Sequence, residues 1–217
     1  MQAKGMSWKK FALFTAGAVT AVTAVVSATV MPTEADAQST RALDDGEIVV
    51  SVTPVAGAEF PRARVVGVVE APPAVVWDLI SDCARSEDLM PNVERSFIVR
   101  REGDDVVCSE RFDLPFPLKD LVSVTKWHFA EEGATRERRW KLVEGDFDYS
   151  TGSIEISPFR GDPTRTLVVY ENHFAPRLAV PEWLSSHFQR KGLASIIEHV
   201  REAAAKQTRQ KRADRSR

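Results

Sequence analysis

The chain has 217 residues, 43% hydrophobic and 28% charged, with a formal net charge of -2. That composition suits a globular protein with one core, and the near-neutral charge provides no global basic field for nucleic acid. No internal repeat, zinc-type cysteine cluster, P-loop or dinucleotide fingerprint is present, so neither a metal nor a cofactor is implied.

In chain order, Lys4, Lys9 and Lys10 precede an uncharged stretch from Phe11 to Val30, followed by Pro32 and the small-x-small run Ala35-Asp36-Ala37. A basic start, an apolar run and an A-x-A site describe a signal peptide over residues 1–37, with Gln38 as the new first residue. The apolar run is also long enough to remain as an uncleaved membrane anchor. Both alternatives put the domain outside the cytoplasm, in the periplasm or secreted. Residues 38–62 read as a linker or N-terminal extension in which Ile48 to Val52 forms either a short strand or part of the linker. Val65 to Glu70 reads as a strand from its β-branched content. Pro72-Pro73 then opens a helix whose Val75, Val76, Leu79 and Ile80 share a face. Asp82 to Met90 reads as a second short helix. Strands are expected at 93–101, 106–114, 121–130, 135–143, 147–157 and 165–175, separated by turn signals such as Glu102-Gly103-Asp104-Asp105 and Glu131-Glu132-Gly133. Pro181 opens a last helix running to about Lys206, with Leu184, Phe188, Ile196 and Val200 on one face. The tail, residues 207–217, is basic and polar. It reads as a frayed, solvated end, or as a patch attracting anionic lipid.

Seven strands, six of them consecutive and joined by short loops, imply an antiparallel meander. Its apolar face must be covered, and the chain offers one long helix and two short ones to cover it. A twisted sheet curling around one helix leaves a space that side chains fill or that stays open.

The order of Ala71-Pro72-Pro73-Ala74-Val75-Val76-Trp77-Asp78-Leu79-Ile80-Ser81-Asp82 and Met90-Pro91-Asn92-Val93 resembles the START-like (SRPBCC) superfamily, in particular its polyketide cyclase/dehydratase and coenzyme-Q-binding branch. Trp140 through Phe147, Gly152-Ser153-Ile154, Asp162 through Thr166 with Tyr170, and Pro181-Glu182-Trp183-Leu184 fit the same pattern. The resemblance covers about Arg64 to Ala205. Cys83 departs from it where an aromatic usually follows the Asp, and Ile154 where a Trp is common. The resemblance implies an α+β helix-grip fold over residues 63–206, a seven-stranded antiparallel sheet gripping the C-terminal helix over an apolar cavity. Relatives bind lipids, sterols, quinones or polyketides, and a minority catalyse cyclisation or dehydration.

Alternation nominates the cavity residues. Arg138, Trp140 and Leu142 share one face of their strand. Ile154 belongs to the Gly152 and Ile156 set, and Tyr170 and Asn172 to a set with Val168 and Phe174. Leu184, Phe188 and Ile196 supply a helical floor, and Phe112 and Phe116 guard an entrance on the Pro-flanked loop. Of the polar groups inside apolar strands, Arg138, His128, Glu171 and His173 are expected on the solvent side. An inward Arg138 would seek a carboxylate or an anionic head group. An acid–base pair of Tyr170 with His173 or Glu171 is opposed by their opposite parity, and no catalytic residue is assigned. Cys83 and Cys108 lie 25 positions apart and are either bridged, as an oxidising compartment permits, or two buried thiols.

The reading that results is an exported, monomeric carrier of an apolar small molecule, with peripheral or N-terminal membrane association left open and no nucleic acid partner. A cyclase/dehydratase acting on a polyketide-like substrate, and an interaction module with a collapsed cavity, are the alternatives.

Overall fold

The structure is a computed structural model that describes residues 34–179 and 192–215. The apolar N-terminal run and the expected start of the last helix, with Leu184 and Phe188, lie outside the described residues. Among the described residues no helix is long and apolar enough to cross a membrane.

Helix α1 (Glu34–Asp44) leads into β1 (Val49–Thr53) and β2 (Arg62–Val69). Pro72 and Pro73 then set the entry to α2 (Pro73–Ile80), where a missing N–H costs nothing. Asp82 accepts the Ala84 N–H to start a 3-10 turn (Cys83–Arg85), and α3 (Ser86–Leu89) follows directly. Six strands come next: β3 (Val93–Glu102), β4 (Asp105–Phe112), β5 (Leu121–Glu132), β6 (Thr135–Gly145), β7 (Phe147–Phe159) and β8 (Asp162–Pro176). Gly103 and Gly133, at φ 63° and 60°, make the β3–β4 and β5–β6 turns in the left-handed region that glycine tolerates. Helix α4 (Leu193–Arg215) closes the described chain.

All strands form one antiparallel sheet in the order β1-β2-β8-β7-β6-β5-β4-β3. It has eight strands, one more than expected. Val49 to Thr53, in the stretch read as linker or extension, pairs with Val66 to Arg62 and extends the sheet beyond β2. The second difference is at the other end. Helix α4 continues to Arg215 where a frayed tail is expected from residue 207. Ala, Lys, Gln and Arg are strong helix formers, and Lys211 Nζ reaches Asp78 of α2 at 3.1 Å, so the last turns are tethered.

The core lies where α4 crosses β2. Val65, Val69, Val76, Leu79, Ile80, Ile197, Val200 and Ala204 are all buried in one cluster. Gly67 makes this crossing close, because a Cβ there would come within 2.6 Å of Ile197 Cγ2. A second cluster joins Cys83, Val106, Cys108 and Trp127 beneath the α2–α3 connection. Cys83 and Cys108 are bridged, with Cα atoms 6.0 Å apart, and so tie the 3-10 turn to the middle of β4.

Candidate functional site

Away from the α4–β2 crossing, the sheet and the first turn of α4 enclose a cavity of about 750 Å³. That volume is in the range of pockets for drug-sized molecules, roughly 300–1,000 Å³. Its walls come from residues of seven strands, all but β3, from Met90-Pro91-Asn92 after α3, from Asp113-Leu114-Pro115 after β4, and from Gly192, Leu193, Ser195 and Ile196.

One end of the cavity is aromatic. Phe60 stacks on Phe174, Phe174 meets Phe147 edge-on, and Phe147 meets Phe112 edge-on, at centroid distances of 6.3, 6.1 and 5.9 Å. All four rings line the cavity. Phe60 precedes β2, and its carbonyl lies 3.0 Å from His173 Nε2, which is also 3.0 Å from Tyr149 Oη.

The other end is polar and buried. Arg138 is 4% exposed, with its guanidinium carbon 3.9 Å from the Trp127 ring centre and 5.4 Å from that of Trp140. Nη1 donates to the carbonyl of Ile80, the last residue of α2, so the cation meets the negative end of a helix. Nε is buried and has no partner. Burial pulls the Arg138 pKa down to about 10, opposed by the nearby charge of Glu110. Glu110 also lines the cavity, and burial raises its pKa against the pull of Arg138 and of the Ser86 hydroxyl. These two do not form a close ion pair, yet each tempers the cost of burying the other. Asn172 Nδ2 donates to Tyr170 Oη at 2.9 Å, with both side chains buried. Burial raises the Tyr170 pKa, so the phenol stays protonated.

Trp140 lies between the two ends, 5.6 Å from the Tyr170 ring. It faces Gly152 across β6 and β7, and any Cβ at Gly152 would run into the Trp140 ring and the Glu171 carbonyl. The glycine is therefore what lets this wall lie flat.

Of the residues nominated from sequence, Phe112, Arg138, Trp140, Tyr170, Asn172 and Ile196 line the cavity. Ile154 is buried in the core, between Arg138 and Tyr170 in the strand register, and is not among the lining residues. Leu142 is half-buried, at the point where a bulge shifts the β5–β6 register, and it too does not line the cavity. Phe116 is 95% exposed, and its neighbours Leu114 and Pro115 form the lip instead. The expectation that all four polar strand residues face solvent fails for Arg138, because the helix end and two indole faces compensate its burial. Tyr170 points into the cavity. Glu171 instead pairs with Arg64 on the opposite face, and His173 sits among Tyr149 and Phe60, so no acid–base pair forms with Tyr170. Sequence reasoning did not nominate Glu110 or Trp127. Glu110 carries a signal nonetheless: it shares its phase with Cys108 and Phe112 on an apolar strand face. Among the described residues no cluster of His, Cys, Asp and Glu could hold a metal.

Residues 69–201, more than half of the chain, match the family described as polyketide cyclase / dehydrase and lipid transport. No curated protein matches the chain. Among solved structures it is similar to a STAR-related lipid transfer protein from Xanthomonas axonopodis, at 18% identity over 73% of this chain and 93% of that one, with a TM-score of 0.64. Human StAR-related lipid transfer protein 5 is similar at 17% identity over 75% and 83%, TM-score 0.61. The Zhui aromatase/cyclase from a Streptomyces species is similar at 19% over 65% and 92%, TM-score 0.52. These likenesses are likenesses of fold: a bent antiparallel sheet closed by a long helix. The matched stretch runs from the end of β2 into α4 and so contains most of the cavity wall; on that match the chain belongs to the polyketide cyclase / dehydrase and lipid transport family.

Proposed function

We propose that this protein is an exported carrier that shields one apolar small molecule during passage through an aqueous compartment. The observation that carries the reading is the cavity itself, about 750 Å³ with mostly apolar walls and a short polar end. Enclosing apolar surface there is favourable by about 25 cal/mol per Å² removed from water. The volume suits a sterol-sized or single-chain molecule. The family's description includes lipid transport, and two of the similar structures are called lipid transfer proteins, in agreement with such a ligand. Export is supported by the basic, apolar and A-x-A order of the N-terminus and by the Cys83–Cys108 bridge, which an oxidising compartment sustains.

Native mass spectrometry of gently purified protein should show one added small-molecule mass per chain, removed by organic extraction and restored on re-exposure to the extract. A chain that carries no such mass, and that takes up neither extract nor an uncharged hydrophobic dye, ends the carrier reading.

A further inference from the structure

Among the described residues two carboxyls line the cavity, Glu110 on β4 and Asp113 beside the lip. Asp113 is exposed, whereas Glu110 is half-buried between apolar walls, so the water that reaches it is water inside the cavity. An apolar guest displaces that water. An ionised carboxylate loses hydration it depends on, and a neutral carboxyl loses much less. In the strand register Glu110 stands opposite Ser96 of β3 and Ser123 of β5, whose hydroxyls are buried and without a partner. Hydroxyls both donate and accept, so these two serve either form of the carboxyl and do not choose between them. Arg138 and the Ser86 hydroxyl favour the ionised form, and burial opposes them with the larger effect. The charge of Arg138 does not depend on Glu110 alone, because the Ile80 carbonyl and two indole faces also meet it. Solvent therefore decides the state of Glu110, and a guest decides how much solvent it has.

We propose that the cavity couples guest binding to proton uptake at Glu110: an apolar guest is held with Glu110 neutral and loosened when Glu110 ionises and draws water into the polar end. The inference rests on the carrier reading and adds a trigger for release to it. The other titratable groups facing Glu110 keep their state near neutral pH. Arg138 stays charged, since burial pulls it down only to about 10, and burial keeps Tyr170 protonated. On the neighbouring elements, Glu87 of α3 accepts from the Ser96 N–H at 2.7 Å, and His199 Nδ1 of α4 lies 3.3 Å from the Leu89 carbonyl. Neither of these two lines the cavity.

The probe is N-phenylnaphthylamine, an apolar dye that does not titrate near neutral pH, added to the whole protein. Its affinity should weaken by about fivefold to tenfold between roughly pH 5 and pH 8, the low end of ordinary coupling strengths. Calorimetry in two buffers of unlike ionisation heat should show the wild-type chain taking up protons as the dye binds within that range, a measurement that needs no variant. Glu110→Gln should bind the dye with an affinity that pH does not alter and with no proton uptake. Asp113→Asn, Glu87→Gln and His199→Gln should each keep the pH dependence, which assigns the proton to Glu110. Dye binding with proton release or with no proton exchange overturns the proposal and leaves the carrier reading standing, as does uptake that persists in Glu110→Gln. If wild-type protein binds the dye at no pH, the carrier reading falls and this inference with it.

Discussion

Arg138 shows how a charge survives in an apolar interior. Two indole faces, the end of α2 and the charge of Glu110 surround a guanidinium that is 4% exposed. Removing one partner of such an arrangement leaves the other uncompensated, so Arg138→Met should cost about 3 kcal/mol, measured by urea denaturation. The double variant Arg138→Met/Glu110→Leu should regain most of that loss, because no buried charge then remains. Glu110 predicts a pH dependence as well. Its folded pKa is raised above that of an ordinary glutamate, so between the unfolded and the folded value the native state holds more protons than the unfolded one. Its contribution therefore falls as pH rises through that window. Glu110→Gln should flatten this part of the stability profile. Carboxylates with lowered pKa values, such as Asp105 beside His128 and Lys126, have the opposite sign and lose their contribution only as pH falls through the acid range. Arg138 was legible in the sequence as a candidate because it shares the phase of Trp140. Its inward placement was not, since the Ile80 carbonyl that receives it lies 58 positions away.

At the scale of elements, turn residues and alternation were enough to outline β3 to β8, because each hairpin is local in sequence. The pieces that were not legible need distant partners. The β1 edge strand exists through its ladder with β2, and the last turns of α4 are fastened by Asp78. Cavity lining was only partly legible for the same reason: parity puts Leu142 and Ile154 on plausible faces, but a bulge displaces one and core packing claims the other. Two glycines test how closely the elements approach. Gly67→Ala should be destabilising, and Ile197→Ala in the same chain should relieve the clash, leaving a coupling energy of about 1 kcal/mol or more in a double-mutant cycle. Gly152→Ala has no such remedy, because a backbone carbonyl stands in the way, and it should also shift tryptophan fluorescence by moving Trp140. The disulfide belongs to this scale too. It closes a loop of 25 residues across α3 and β3, so replacing Cys83 and Cys108 with Ser should lower stability by about 3 kcal/mol, seen as an earlier denaturant midpoint.

For the whole molecule, the sheet and α4 zip together at one end and stand apart at the other, so the N-terminal extension matters for what it adds to the open end. Val52, Phe60 and Pro61 form part of the cavity wall although they precede the matched family stretch. Export with cleavage after Ala37 would cut inside α1, which begins at Glu34. Several contacts that hold the extension lie beyond that cut. Asp44 pairs with Arg160 at 2.7 Å, Arg201 donates to the Gly46 carbonyl at 2.9 Å, and β1 pairs along β2. A chain starting at Gln38 keeps these contacts and should melt within about 2 °C of a chain that retains residues 34–37, since the first residues of a terminal helix contribute little. A chain starting at Pro54 loses β1, uncovers the edge of β2 and removes Val52 from the cavity wall. It should lose both stability and affinity for the dye. The mass of protein recovered from the periplasm decides the processing question directly. A first residue of Gln38 supports export with cleavage, and an intact N-terminus in the membrane fraction supports the anchor. Either way, β1 keeps its role, because it acts through the sheet and not through what precedes it.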